Sequence, residues 1–415
     1  MRFIYNIGIG LYYLAALVIS PWNRKAKLWI SGRKGWQQPL GKAFQPGDRV
    51  VWFHCASLGE FEQGRPVIEA IKERSPEYKI LLTFFSPSGY EKRKDYEVAD
   101  HVMYLPLDTD RNARRMVKSL PLEMVLFVKY EFWFHFLTRI KKEGVPVYLI
   151  SGIFRPGQIF FKWYGGWYRR FLDAFTHIFV QQEDSRILLE ESGLDKVSVT
   201  GDTRFDRVKQ LVQSDYSNPA LEAFTSGAQV LVAGSTWEPD EQILEEAYGE
   251  LPSGLLWIIA PHELSDNHIE KLQKRFPDSV LFTELGNEIP SDVRVVIVNT
   301  IGHLSHLYRY GTLAYIGGGF GKGIHNILEA ATYGLPVIFG PNHKKFSEAI
   351  ELVERGGAFP VSCTSKLLST VHQQLGNPSL LKTTSGLASN YVSERLGATS
   401  KIVQKVCKKT GSKKV

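Results

Sequence analysis

The sequence predicts two α/β domains, each built on a doubly wound parallel sheet. Short apolar runs rich in β-branched residues alternate with amphipathic stretches along the chain, which is typical of βα units. These runs form two series, and a largely polar stretch between Lys209 and Gly227 separates them. The chain has 415 residues, of which 44% are hydrophobic and 12% are aromatic. This composition suffices for two cores and excludes a disordered chain.

Thirteen strands are predicted from these runs. The first series lies near 50–56, 79–85, 101–105, 123–129, 146–151, 177–181 and 197–200. The second lies near 229–234, 255–260, 279–283, 294–298, 312–317 and 336–339. Ligands of such sheets bind outside the carboxyl ends of the strands, so we expect them in a cleft between the domains.

The expected organisation has five parts. They are an amino-terminal segment at 1–47, a first domain at 48–208, a linker at 209–227, a second domain at 228–383, and a carboxyl-terminal helix with a basic tail at 384–415.

Positive charge is concentrated at the two ends of the chain. Lys and Arg number 50 against 43 Asp and Glu, for a formal net charge of +7. Residues 1–47 contain seven basic residues and no acidic residue, and six Lys lie in the last fifteen positions. The body is therefore mildly acidic, which argues against binding to duplex nucleic acid, because that needs a basic face on the fold itself. Three cysteines without a CxxC pair fit a reducing compartment.

The amino terminus contains an uncharged, largely apolar run at 3–20, followed by a basic cluster. A cleaved signal peptide would carry its positive charges before the run, whereas here most of them follow it, so this interpretation is disfavoured. A spanning helix needs about 20 apolar residues, so this run is marginal, and a helix lying in the membrane interface fits as well. An ordinary buried helix of the fold is the remaining alternative. Both membrane interpretations put the body of the protein on the cytoplasmic side.

Glu60 follows the first predicted strand in the segment CASLGEF. Gly59 marks a sharp turn there, and a helix is expected to begin within a few residues. A carboxylate at this position complements the helix dipole. It also stands where catalytic groups of this fold class collect, so the residues alone leave both roles open.

A glycine cluster at 317–331, GGGFGKGIHNILEAA, follows another predicted strand. It matches neither the P-loop nor the dinucleotide fingerprint. We expect a turn whose backbone N–H groups, at Gly319 among others, approach an anion, with a helix beginning at His325 and Asn326. His325 and Glu329 would then share a helix face, the imidazole near a phosphate and the carboxylate near a ribose. A plain surface pair is the alternative.

Two further strand ends carry polar residues. Ser235 and Thr236 end the first strand of the second domain, and Pro261 and His262 end the next strand. Ser235 and Thr236 fit a helix N-cap as well as a ligand contact. His262 alone fits a structural role as well.

Five motifs together resemble those of the bacterial 3-deoxy-D-manno-octulosonic acid (Kdo) transferases, the lipid A glycosyltransferases. They are CASLGEF (55–61), EFW (131–133), GDTRFD (201–206), APHE (260–263) and GIHNILEA (323–330). The resemblance covers essentially the whole chain. It implies a GT-B fold, with two Rossmann-like domains facing a central cleft and an N-terminal membrane-associating helix. It also implies CMP-Kdo as donor, a lipid A precursor as acceptor, and attachment to the cytoplasmic side of the inner membrane.

The resemblance also assigns residues by position. Glu60 matches the family's general base, and Glu131 and Arg204 match residues that stabilise the transition state. Arg204 stands where the family usually has Lys, which replaces a point charge by a bidentate fork. The nucleotide is expected at Pro261, His262, Ile301, Gly302, His303, Asn326, Ile327, Leu328 and Glu329. Lipid headgroups or the acceptor's phosphates are expected at Arg24, Lys25, Arg33 and Lys34.

The predicted reaction is an inverting, single-displacement transfer without metal or cofactor. The donor has one phosphate, so there is no diphosphate to chelate, and no Asp-x-Asp pair ends a strand. The expected partners are CMP-Kdo, the lipid A precursor and inner-membrane lipids, with no nucleic acid. One alternative is a GT-B transferase or epimerase that uses another nucleotide sugar. The other is a non-catalytic membrane-associated protein that binds a nucleotide.

Overall fold

Two seven-stranded sheets, parallel throughout, form the framework of the protein in a computed structural model that describes residues 1–286, 290 and 292–408. By its internal contacts the chain divides into an N-terminal domain, 1–207 together with 396–408, and a C-terminal domain, 208–395. The basic residues Lys409, Lys413 and Lys414 of the predicted tail lie outside the described residues.

The first sheet belongs to the N-terminal domain. Its strands are β1 (Arg49–Cys55), β2 (Tyr78–Phe84), β3 (His101–Tyr104), β4 (Leu122–Val128), β5 (Val147–Gly152), β6 (His177–Val180) and β7 (Val197–Val199). Their spatial order is β3-β2-β1-β4-β5-β6-β7, so β1 lies between β2 and β4.

The second sheet belongs to the C-terminal domain. Its strands are β8 (Gln229–Thr236), β9 (Leu255–Pro261), β10 (Ser279–Leu281), β11 (Val295–Ile297), β12 (Leu313–Ile316), β13 (Val337–Phe339) and β14 (Ala358–Pro360). Their order is β10-β11-β9-β8-β12-β13-β14. The predicted pair of doubly wound α/β domains is confirmed, and β14 is the strand that the sequence did not predict.

Helices connect the strands. In the first half they are α1 (Arg2–Ile19), α2 (Arg24–Ser31), α3 (Gln37–Ala43), α4 (Leu58–Arg74), α5 (Pro87–Arg93), α6 (Asp110–Ser119), α7 (Phe134–Lys142), α8 (Gly166–Leu172), α9 (Glu183–Glu191) and α10 (Thr203–Gln213). In the second half they are α11 (Pro219–Thr225), α12 (Glu238–Tyr248), α13 (Asp266–Arg275), α14 (Leu304–Leu307), α15 (Leu328–Ala331), α16 (Ser347–Glu354), α17 (Thr364–Leu375), α18 (Pro378–Ser393) and α19 (Ala398–Lys408). Within the predicted linker at 209–227, the structure places the end of α10 and all of α11.

Both faces of the first sheet are covered by apolar cores. Along β1 the side chains alternate: Trp52 enters one core together with Phe127 and Phe136, and Phe53 enters the other. The second core also receives Ile402, Val403 and Val406 of α19. The chain therefore returns to the N-terminal domain after α18, and its last described helix packs beside α4.

Helix α1 is attached to the N-terminal domain along one side. The Tyr5 hydroxyl donates to Asp108 at 2.6 Å, and Asn6 Oδ1 lies 2.7 Å from His135 Nε2. Tyr12 packs edge-on against Trp29. The opposite side is exposed and apolar; its residues are Phe3, Ile4, Ile7, Leu11, Leu14 and Val18. By length and composition the helix is able to cross a membrane, although none of its residues is buried in the structure.

The glycine segment after β12 is explained by close backbone packing. A Cβ at Gly317 would lie 2.2 Å from the Ser235 carbonyl oxygen, and a Cβ at Gly319 would lie 2.5 Å from the Gly340 nitrogen. Real side chains do not approach backbone atoms this closely, so only glycine fits at these two positions. At Gly321 the nearest atom to a Cβ lies 3.6 Å away, which is ordinary contact.

The packing predicts that Gly317→Ala destabilises the C-terminal domain. The added Cβ forces β8 and β12 apart at their carboxyl ends, and such overpacking costs about 1–3 kcal/mol in the free energy of unfolding. Urea unfolding followed by tryptophan fluorescence measures the change. Gly321→Ala is the matched control in the same loop and should leave the midpoint unchanged; equal midpoints for the two variants would contradict the packing explanation.

Candidate functional site

Glu60 lies in the first turn of α4, directly beyond the carboxyl end of β1. Ser57 is the N-cap residue of this helix. Its Oγ accepts a hydrogen bond from the Gly59 N–H at 3.3 Å, and its hydroxyl donates to Glu60 Oε2. The carboxylate is therefore held at the positive end of the helix dipole, at the edge of the sheet where the strands end.

Glu131 lies in the loop that joins β4 to α7. The chain turns away from the sheet at Lys129, whose φ is +62°. Glu131 Oε2 then lies 2.8 Å from His54 Nε2 and accepts a hydrogen bond from Trp133 Nε1, also at 2.8 Å. Trp133 stacks on Phe85 with a ring distance of 4.9 Å. Side chains of the sheet and of the loop thus fix this carboxylate.

The two carboxylates share one neighbourhood, because β1 and β4 are adjacent strands. Cys55, the last residue of β1, is near enough to feel the charge of both carboxylates. Burial raises the pKa of its thiol, and the charges of Glu60 and then Glu131 raise it further. Both predicted catalytic carboxylates therefore lie at the same end of the first sheet.

Arg204 is the second residue of α10, shortly after β7. The preceding Thr203 is fully buried and donates to the carbonyl oxygen of Gln63 in α4 at 2.6 Å, which ties this segment to the helix that carries Glu60. The Arg204 guanidinium pairs with Asp202 through Nε at 2.8 Å and Nη2 at 2.7 Å. Arg204 thus joins Glu60 and Glu131 in the N-terminal domain, with its side chain oriented by Asp202.

Three rings gather at the carboxyl ends of β8, β9 and β12 in the C-terminal domain. Trp237 stacks on His262 at 4.3 Å between centroids, and His262 stacks on His325 at 4.7 Å. Trp237 Nε1 donates to His325 Nε2 at 3.0 Å. The structure thus brings together two of the predicted nucleotide residues and adds Trp237, which the sequence analysis did not single out.

His325 is held in its neutral form. Burial, and next the neighbouring His262, lower its pKa to about 4. Without a bound ligand, this side chain therefore offers hydrogen bonds and no positive charge at pH 7.

The helix predicted to begin at His325 begins at Leu328 instead. The reason lies in the glycine turn, where the His325 N–H donates to the carbonyl oxygen of Gly317 and keeps the backbone out of helical geometry. Asn326 accepts from the Leu328 N–H at 3.2 Å and donates to Glu329 at 3.0 Å. The expectation that His325 and Glu329 share a helix face is therefore wrong, and Ile327 and Leu328 are buried core residues.

Asp240 fixes the glycine turn and the start of α12. Its buried carboxylate accepts from the Gly318 N–H at 2.8 Å, from the Trp237 N–H at 3.0 Å and from the Tyr315 hydroxyl at 2.9 Å. The N–H of Gly318 is thus already used within the domain. Asp240 stands at a position where sequence reasoning sees only an acidic first turn.

The remaining predicted nucleotide residues lie at the same end of the second sheet. Ser235 has a φ of +55°, whereas Thr236 is fully buried and donates to Glu241 at 3.1 Å. Trp237, and neither Ser235 nor Thr236, is the N-cap residue of α12. Pro261 ends β9.

Residues 301–303 follow β11, the neighbour of β9. Ile301 is 80% exposed, Gly302 has a φ of +97°, and His303 Nδ1 lies 3.2 Å from the Tyr216 hydroxyl.

One group of possible metal ligands occurs among the described residues. Glu238, Glu241 and His268 place one ligand atom each within 4.8 Å of one another. Glu241 already lies 3.0 Å from His268 Nε2, and Arg275 pairs with Glu238. A cation would have to replace these contacts beside a guanidinium group, so the donor set does not fit one. Metal independence itself stays a prediction.

The basic residues near the amino terminus divide into two kinds. Arg24, Lys25 and Lys34 are exposed. Arg33 is inserted into the domain: it donates to the carbonyl oxygens of Trp29 and Phe85 at 2.9 and 2.7 Å, and burial lowers its pKa to about 9. The structure thus places Arg33 in a packing role and leaves the other three side chains open to a partner.

Comparison with known proteins identifies relatives over most of the chain. Residues 33–207 match the family model described as 3-deoxy-D-manno-octulosonic-acid transferase (kdotransferase). A 3-deoxy-D-manno-octulosonic acid transferase of Bordetella pertussis is 26% identical, and the match covers 95% of this chain and 97% of the relative. One of Chlamydia trachomatis is 28% identical over 74% of this chain and 73% of the relative.

Solved structures show the same fold. The UDP-GlcNAc 2-epimerase from Neisseria meningitidis, bound to UDP-GlcNAc, superimposes with a TM-score of 0.60 at 17% identity, covering 87% of this chain and all of that chain. At this identity the likeness shows the fold alone. The sequence relatives and the family model agree: over most of its length the chain is similar to 3-deoxy-D-manno-octulosonic acid transferases, which are glycosyltransferases.

Proposed function

We propose that the protein transfers Kdo from CMP-Kdo to a lipid A precursor, in a single displacement that inverts the anomeric carbon and needs no metal ion. The observation that carries the proposal is the placement of Glu60 in the first turn of α4, at the same sheet end as Glu131. Similarity to these relatives supports the choice of sugar, since they are named for transfer of this sugar.

Glu60 acts as the general base in this proposal. A sugar hydroxyl has a pKa far above neutrality, so its attack is helped by a carboxylate that takes the proton as the new bond forms. The Ser57 hydroxyl holds one carboxylate oxygen of Glu60, which leaves the other for the acceptor. Bond formation at the anomeric carbon and loss of CMP occur together, which inverts the configuration.

Glu131 and Arg204 stabilise the charge that develops during transfer. Positive charge grows on the sugar ring as the bond to CMP weakens, and a fixed carboxylate stabilises it. Negative charge grows on the departing phosphate, which a guanidinium group stabilises by paired N–H donors. Asp202 orients the Arg204 fork, and this explains how Arg serves at a position that usually holds Lys.

The C-terminal domain supplies the nucleotide contacts. The stacked rings of Trp237, His262 and His325 form a flat, half-exposed aromatic surface at the carboxyl ends of β8, β9 and β12, where nucleotides bind in open α/β sheets. His325 is neutral at pH 7 in the ligand-free protein, so it meets the ligand first as a hydrogen-bonding group. Asn326 donates to Glu329, and we assign this carboxylate to a ribose diol of the nucleotide.

Helix α1 lies in the membrane interface in this proposal and holds the protein on the cytoplasmic side of the inner membrane. Contacts from Tyr5 and Asn6 keep the helix along the domain, so its exposed apolar side faces lipid. The same contacts reach Asp108, which accepts the N–H groups of His135 and Phe136 in the first turn of α7. Helix α1 is thus attached beside the loop that carries Glu131, and this is where the lipid acceptor has to bind.

Glu60→Gln should lower kcat by at least about 10²-fold, because a positioned general base contributes about 10²–10⁴-fold. CMP should still bind, since the proposed nucleotide contacts are in the other domain. Transfer is measured as radiolabelled Kdo in lipid, and CMP binding by calorimetry. Glu73→Gln, an exposed residue of the same helix, is the control. Near-normal turnover of Glu60→Gln would reject the base assignment.

Removal of divalent cations with EDTA should leave the rate within about twofold, because the leaving group carries a single phosphate that protein donors are able to neutralise. The transfer rate is measured before and after chelation. A loss of activity that added Mg²⁺ restores would contradict the metal-free mechanism.

Replacing Leu11 and Leu14 together by Ser should reduce partitioning onto anionic phospholipid vesicles by at least about tenfold, since each Leu withdrawn from lipid loses about 1.5–3 kcal/mol. Flotation assays measure the bound fraction. Ile350→Ser with Leu387→Ser, exposed in the C-terminal domain, is the control. Unchanged flotation of the α1 variant would contradict the proposed orientation, as would resistance of the wild type to alkaline extraction, which marks a spanning helix.

A further inference from the structure

His54 is a buried titratable side chain that the proposed chemistry leaves without a role. It lies on β1 and is fully buried between β2 and β4. Its Nδ1 lies 2.8 Å from Thr83 Oγ1, and its Nε2 lies 2.8 Å from Glu131 Oε2. An imidazole inside an apolar sheet is costly unless both nitrogens are hydrogen-bonded, and here both are.

We propose that His54 is a positioning residue for Glu131. Its Nε2–H and the Trp133 indole hold one carboxylate oxygen, so that the other oxygen points to the reacting sugar. His54 has this role only if Glu131 acts in the transfer, so the assignment rests on the proposed function.

The backbone around Glu131 does not fix the carboxylate. Residues 129–133 form no helix or strand, and the turn into this loop is made at the positive φ of Lys129. The hydrogen bonds on Oε2 come from two side chains, His54 and Trp133. Within the part of the chain that the structure describes, Oε1 accepts no hydrogen bond, and the side chain keeps 12% exposure. We therefore assign Oε1 to the substrate.

The hydrogens behind His54 can be assigned by counting donors. Trp52 Nε1 lies 2.8 Å from Thr83 Oγ1 and only donates, so this oxygen accepts. The single hydroxyl proton of Thr83 is then directed either to His54 Nδ1 at 2.8 Å or to the Phe53 carbonyl oxygen at 3.2 Å. The Trp133 indole N–H lies 3.2 Å from His54 Nε2 and 2.8 Å from Glu131 Oε2, so the carboxylate is its closer acceptor. Glu131 as a carboxylate only accepts, so the 2.8 Å contact between Oε2 and His54 Nε2 needs a hydrogen on Nε2 in both cases.

Both arrangements leave His54 bound to Glu131. When Thr83 donates to Nδ1, the imidazole is neutral; when Thr83 donates to Phe53, Nδ1 carries its own hydrogen and the ring is an imidazolium. Every polar atom of the network is paired in each arrangement, and the Nε2–H bond to Glu131 is present in both. The network thus keeps the carboxylate in place whichever acceptor the Thr83 hydroxyl proton takes.

Two amide variants separate the two ring nitrogens. His54→Gln places an amide nitrogen near the position of Nε2 and keeps the donor to Glu131. His54→Asn places one near Nδ1 and keeps only the bond to Thr83. We expect kcat to stay within about fivefold for His54→Gln and to fall about 10- to 100-fold for His54→Asn, with KM for CMP-Kdo unchanged in both.

Coupling to Glu131 distinguishes positioning from a structural role. In a Glu131→Gln background, His54→Asn should lower kcat by no more than about twofold, because the carboxylate that His54 holds is absent. A general loss of packing would lower kcat equally in both backgrounds. Thermal unfolding of each variant shows whether the chain is folded. If His54→Asn is unfolded, His54→Gln alone tests the assignment. A fall in kcat of about 10-fold or more in His54→Gln would overturn it.

The outcomes separate this assignment from the proposed function. If Glu131→Gln alone keeps normal turnover, the role of Glu131 in the transfer is rejected. If Glu131→Gln is impaired while His54→Asn is as active as wild type, or is impaired equally in both backgrounds, His54 is not a positioning residue and the proposed function stands.

Discussion

All strands in each sheet run parallel, and this constraint determines where chemistry can occur in each domain. Parallel strands place their carboxyl ends at one edge, so residues far apart in the sequence meet there. Glu60 and Glu131 meet because β1 and β4 are neighbours, and Trp237, His262 and His325 meet because β9, β8 and β12 are neighbours. Every proposed contact with the reacting groups follows from these two edges.

Polar groups inside the first sheet connect its packing to its chemistry. The strands bury mostly apolar side chains, yet β1 and β2 carry His54 and Thr83 in full burial. Such groups lower stability unless each finds a partner. A chain of hydrogen bonds joins Trp52 to Thr83, Thr83 to His54, and His54 to Glu131. The buried polar groups that need partners are therefore also the groups that hold a carboxylate at the carboxyl end of the sheet.

The sequence predicts the framework well and the loops less well. All thirteen predicted strands are present because continuous β-branched runs are a strong signal, while β14 is only three residues long and ends in Pro360. The helix start at His325 was misplaced because hydrogen bonds back to Gly317 delay it, and periodicity does not register such bonds. Arg33 looked like a surface cation, but its guanidinium lies 3.9 Å from the centre of the Trp29 ring.

The sequence predicts only part of the candidate site, because some of its contacts join residues that are far apart in the chain. Motifs revealed Glu60, Glu131 and Arg204, whereas His54 sits within an apolar run and Asp240 within an acidic first turn, where both look ordinary. Their partners, Thr83 for the one and the Gly318 N–H for the other, are distant in sequence and come close only through strand pairing and the glycine turn. Spacing along the chain does not encode contacts of that kind.

The mass of the lipid product is the most direct test of the account. Purified protein on vesicles that contain a lipid A precursor is supplied with CMP-Kdo, and the extracted lipid is weighed by mass spectrometry. We expect a lipid heavier by at least one Kdo residue, with one CMP released for each Kdo transferred. Release of CMP without a heavier lipid, or a glycosylated lipid formed from a UDP-sugar instead, would contradict it.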